Sequence, residues 1–143
     1  MRANPNAFLI VGALLSAVAA VLHLACIYFG PSWYRFFGAG EKMARLAESG
    51  SAHPARVTLL ITAVLLTWSA YALSGAGVIS QLPLLRPALC AIAAIYLLRG
   101  FAFFPLMKLI PGNSLAFWLW SSAICGVIGL VHLIGIEQTW SLL

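Results

Sequence analysis

AFLIVGALLSAVAAVLHLACIYF, residues 7–29, is 23 residues long, and His23 is its one side chain that can gain charge near neutral pH. A helix rises ~1.5 Å per residue and ~20 apolar residues cross a ~30 Å hydrocarbon core, so this stretch reads as a membrane span. Three more runs of the same kind follow at 57–79, 84–107 and 115–136, which makes all four 22 to 24 residues long. With His23, the ionisable side chains deep inside them are Arg99 and His132. The 143 residues are 63% hydrophobic and 8% charged, with mean hydropathy +1.02, so the spans and their connections use the whole chain and leave no room for a soluble domain. Residues 1–143 are therefore expected to form a single transmembrane domain. The first run resembles a signal peptide behind Arg2, but it exceeds the usual ~7–15 residues of an apolar h-region and is read as a retained span.

The formal net charge of +5 does not point to nucleic acid, because the basic residues sit at span ends rather than on one continuous face. Arg35, Lys42, Arg45, Arg56 and Lys108 fall on one side of four alternating crossings, and Arg2 and Arg86 on the other. The positive-inside rule then places loops one and three in the cytoplasm and both termini outside. Cys26, Cys90 and Cys125 lie within spans, are odd in number and form no C-x-x-C pair. They are expected to be buried, reduced thiols rather than a disulfide framework or a zinc site.

Short connections join spans two and three through Ser80-Gln81-Leu82-Pro83, and spans three and four through a turn at Pro111-Gly112-Asn113. Such pairs pack as hairpins, so the expected fold class is all-α, an integral membrane four-helix antiparallel bundle. Loop one, 30–56, is long enough to have structure of its own. Trp33, Tyr34, Phe36 and Phe37 suit the headgroup level, and 41–48 reads as a short amphipathic interfacial helix in which Glu41 and Arg45 form an i,i+4 pair.

Gly12, Ser16, Ala20, His23, Cys26 and Gly30 share one stripe of the first span, and Trp118, Ser121 or Ser122, Cys125, Gly129, His132 and Gly135 one of the fourth. Small and polar residues at helical spacing mark faces that pack on protein, as Thr58, Thr62, Ser69 and Ala76 do in the second span. Val18, His23-Leu24 and Ile27 align with Val127, His132-Leu133 and Ile136, a match of the quality that apolar helices reach by chance.

Arg99 is the most expensive residue, at about 2.5–3.5 kcal/mol for an arginine at a helix centre on insertion scales. Two readings stand side by side, snorkelling to the headgroups and facing a site inside the bundle. In the second reading His23, Tyr96, Arg99, Ser121 and Ser122 fall in one leaflet, Arg35 and Glu41 lie over them, and the set binds an anionic headgroup or a carboxylate. Tyr71, Ser74 and His132 form a second polar group nearer the other side. A metal or haem between His23 and His132 is not expected, since antiparallel helices would hold them about 15 Å apart along the axis. No nucleophile and base pair can be assigned, Gly38-Ala39-Gly40 lacks the context of a phosphate loop, and the residues name no cofactor.

The stretches HLAC at 23–26, YRFFGAGE at 34–41, YALSGAG at 71–77 and YLLRG at 96–100 resemble those of small four-helix inner-membrane proteins of Gram-negative bacteria. The resemblance implies four helices and a bacterial inner membrane, and carries no activity. The expected function is a polytopic protein that binds or transports a small amphiphilic or anionic ligand. Its partners are the lipid bilayer and further copies of itself or the other subunits of a membrane complex. The alternatives are a lipid-modifying or redox enzyme that uses His23 as acid or base, and an accessory subunit without chemistry of its own.

Overall fold

A computed structural model describes residues 4–109 and 112–143. Among the described residues seven helices follow one another, α1 (Ala7–Phe29), α2 (Pro31–Phe36), α3 (Glu41–Glu48), α4 (His53–Gly75), α5 (Leu85–Phe101), α6 (Phe103–Leu109) and α7 (Leu115–Thr139), and there is no strand. α1, α4 and α7 are each long and apolar enough to cross a membrane, while α5 and α6 meet that test only as a pair bent by 75°. The chain is all-helical, with three or four candidate membrane spans.

The faces that these helices turn outward are the apolar ones. Val21, Leu60 and Leu98 are each more than 60% exposed, whereas Ser16, Thr62 and His132 are buried. Small and polar residues inside with large apolar ones outside is the arrangement that lipid favours, because lipid tails give apolar side chains no reason to turn inward. α1 pairs most extensively with α4, and α5 with α7, while α1 also meets α7 and α4 meets α5. Leu9, Leu89 and His132 are the largest of the fully buried side chains between them.

Helix limits follow local chemistry. Asn6 caps α1 by accepting from the Leu9 amide at 2.9 Å, and Ser114 caps α7 by accepting from the Phe117 amide at 3.1 Å. α1 keeps the expected limits, but α4 runs four residues earlier at both ends than the expected 57–79. Pro54 occupies the first turn of α4, where a missing N–H costs nothing, so it sits inside the helix rather than ahead of it. The expected span at 84–107 is not one straight helix: α5 stops at Phe101 and α6 leaves at the 75° bend. Pro105 explains the break, because it cannot donate to the Phe101 carbonyl and its ring crowds that group. Pro111, part of the turn expected between the last two spans, lies outside the described residues, as does Arg2.

Loop one carries a small core of its own. Tyr34 is 4% exposed and packs with Cys26 and Ala44, with its hydroxyl 3.4 Å from that of Thr58 on α4. Trp33 stacks on Phe29 at 4.4 Å, so α2 folds back on the end of α1. The Asn113 side-chain amide donates to the Gly38 carbonyl at 3.0 Å, which joins loop one to the connection ahead of α7. Cys26 is buried, but Cys90 is exposed on the outer face of α5, contrary to the expectation of three buried thiols.

Candidate functional site

α5 and α7 approach closely enough for backbone to touch backbone. A methyl added to Gly100 would lie 2.7 Å from Gly126 Cα, so only glycine at position 100 lets the helices meet there. One residue away, Arg99 reaches across the contact. Its guanidinium donates to Ser122 Oγ at 3.0 Å and to Ser121 Oγ at 2.9 Å, and its carbon lies 5.0 Å from the centre of the Trp118 ring. Trp118, Ser121 and Ser122 are three and four residues apart, so one face of α7 presents all of them. Trp118 is 3% exposed and Ser122 is buried, while Arg99 itself is half-buried.

Among the described residues no carboxylate pairs with Arg99, for all the ion pairs lie in loop one. The two hydroxyls orient the guanidinium without neutralising it. A guanidinium carries five N–H donors, and an anion is the partner that its charge and planar fork match best. Arg99 stands two residues from the end of α5, next to the bend and to Phe103 and Phe104, which stack at 4.3 Å.

Tyr96, expected beside Arg99, belongs to a different group. It points to the interior, where its hydroxyl lies 2.9 Å from Ser16 Oγ and its ring stacks on His132 at 5.5 Å and meets Trp68 edge-on at 5.0 Å. His132 is fully buried and gives its Nδ1–H to the Ile128 carbonyl at 2.9 Å, and its Nε2 has no partner among the described residues. Gly12 makes room for this ring, since a Cβ there would fall 2.7 Å from His132 Cε1. Four helices thus each contribute to one buried polar cluster.

The remaining candidates are dispersed. His23 is half-buried and gives its Nδ1–H to the Ala19 carbonyl of its own helix at 2.7 Å. It lies eleven residues beyond Gly12, roughly 16 Å along α1 from the level of His132. Tyr71 and Ser74 do not join His132. The Tyr71 hydroxyl donates to the Pro83 carbonyl at 3.1 Å, and Ser74 Oγ donates to the Ser80 carbonyl and accepts from the Leu82 amide, both at 3.0 Å. Together they hold the α4–α5 connection, in which Leu84 adopts a left-handed φ of 53°.

Arg35 is occupied within loop one, where it binds Glu41 through two N–H groups at 2.9 Å and Glu48 at 2.8 Å, while Arg45 adds a 3.2 Å contact to Glu41. The Arg35 guanidinium, and then Arg45, hold the Glu41 carboxyl down from 4.5 to about 2, and the two carboxylates raise Arg35 in return. These groups are 40–50% exposed, apart from the freer Arg45, so water and salt screen their attraction.

Sequence reading singled out Arg99, Ser121 and Ser122 but not Trp118 as their fourth member, although its spacing to the serines was a visible signal. Ser16 was visible as part of a stripe and not as the partner of Tyr96. Among the described residues no three His, Cys, Asp or Glu side chains come together as metal ligands would. The chain matches no family model, no curated protein and no solved structure.

Proposed function

We propose that the chain is a four-span antiparallel membrane bundle that binds an anionic amphiphile through Arg99, with Ser121, Ser122 and Trp118 as the seat of its guanidinium. The carrying observation is a half-buried arginine on two hydroxyls and an aromatic face, without a carboxylate within ion-pair distance among the described residues. A lipid phosphate or a fatty carboxylate supplies the missing charge, and the bilayer supplies its apolar tail. Loops one and three face the cytoplasm of a bacterial inner membrane in this reading, α3 rests at the interface, and the bend at Ala102 brings α6 and Lys108 to the headgroups.

Binding has more support than conduction by a single copy, because Leu9, Ser16, Leu89 and His132 are fully buried where a path between the helices would run. Passage of a ligand would need a surface between copies or between this chain and a complex partner. An enzyme with His23 as base has less support, since no hydrogen bond links His23 to the Arg99 group.

Flotation with vesicles of phosphatidylcholine, alone or with phosphatidylglycerol added, tests the reading once the protein is stripped of detergent lipid. The parent protein retains phosphatidylglycerol preferentially, Arg99→Gln loses that preference, and Arg45→Gln keeps it. Equal retention by the parent and Arg99→Gln removes the proposal.

A further inference from the structure

A second lipid-facing feature is a groove that runs along α5 from Leu97 toward Arg86, which itself stands thirteen residues and roughly 20 Å from Arg99. Cys90, Ala93 and Ala94 leave a depression on α5, and Leu133 and Ile136 of α7 form its facing wall, so that a shallow apolar groove of about 520 Å³ runs between the two helices. It ends at Glu137 and Trp140. The same end holds Arg86, which donates to the Trp140 carbonyl at 3.0 Å and covers the Trp140 ring at 4.7 Å.

Glu137 is the only acidic residue outside loop one, and among the described residues it makes no ion pair. Arg86 is likewise without a carboxylate. A negative charge at the end of an apolar groove and a positive charge beside it on Trp140 therefore stand without an ion pair between them. A phospholipid with a zwitterionic headgroup has the complementary order of parts: an acyl chain for the groove, a phosphate for Arg86 and a cation for Glu137.

The nature of that cation follows from two contacts. A carboxylate gains most from an ammonium that still has N–H groups to donate. A quaternary ammonium, which has none, is bound best over an aromatic face, and the Trp140 face already carries Arg86. We infer that the α5–α7 groove binds a phospholipid with a primary-amine headgroup, its ammonium on Glu137, its phosphate on Arg86 and one acyl chain along Ala94. This site is independent of the Arg99 site.

Retention of phosphatidylethanolamine and phosphatidylcholine with identical chains, measured by mass spectrometry of the intact protein, tests the inference. Both lipids carry a phosphate, so any contribution from Arg99 is common to them, and Arg99→Gln leaves their ratio unchanged. Ethanolamine is retained about tenfold more than choline by the parent, the scale of one charge-assisted hydrogen bond. Glu137→Gln abolishes the ratio while leaving choline retention intact. Ala94→Phe, on an exposed helix face, lowers retention of both. Equal retention of the two lipids by the parent, a ratio that survives Glu137→Gln, or retention unaffected by Ala94→Phe overturns the assignment.

Discussion

Arg35 and Arg99 belong to the same end of the molecule and meet opposite surroundings. Arg35 lies in loop one between two carboxylates, each within 2.9 Å, and its charge is spent on joining α2 to α3. Arg99 lies where α5 crosses α7 and, among the described residues, is held by two hydroxyls and a ring, which fix its direction and leave its charge without a carboxylate. A charged group that is paired within the fold serves the fold, whereas one that is oriented but not neutralised can serve a ligand. With eight basic and three acidic residues, this chain cannot neutralise every cation, and loop one takes two of the three acids.

The contrast breaks most severely if the helices that seat Arg99 are forced apart. Gly100→Val places a side chain against the Gly126 backbone, and overpacking of this kind destabilises by about 3 kcal/mol. Thermal unfolding in detergent measures that loss, and anionic-lipid retention falls with it. Arg99→Ala leaves the fold in place and lowers anionic-lipid affinity roughly tenfold to a hundredfold, the worth of a hydrogen-bonded charge. Titration with phosphatidylglycerol reads this change, and a loss as large in Arg35→Gln would erase the distinction between the two arginines.

Arg35→Gln is expected instead to speed amide hydrogen exchange across residues 31–48, with lipid retention unchanged. The smallest effect is that of acid. Glu41 titrates near 2 in the folded protein against an ordinary 4.5, so its contribution is present above pH 4.5 and is lost as the pH falls from 4.5 toward 2. Exchange in loop one should rise through that window, whereas the contact of Arg99 with two serines has no titrating acceptor and should not follow it.

Four apolar runs, the loop-one helix at 41–48 and the inward stripes of α1 and α7 were legible because each depends on local composition and spacing. The bend at Ala102 was harder to read: Pro105 announces a break, but not the three-residue offset or the 75° angle. The site was legible in part. Membrane level alone puts Tyr96, Ser121 and Ser122 in one leaflet with Arg99, and of these the structure brings the two serines to Arg99 and Tyr96 to Ser16 instead. Side chains three residues apart on a helix still differ in direction by roughly 60°, enough to turn Tyr96 to the interior while Arg99 stays on the flank.

The amino-acid order alone determined that the chain is helical and apolar, where its polar side chains interrupt the spans, and that its cations outnumber its acids. These properties depend on neighbours within a few turns. Tertiary structure decided which cation is neutralised, because pairing depends on angles and distances between helices that are far apart in sequence. Gly12 and Gly100 show why: the absence of one carbon at each position sets how closely two helices approach, and that approach brings His132 to the interior and Arg99 to its serines.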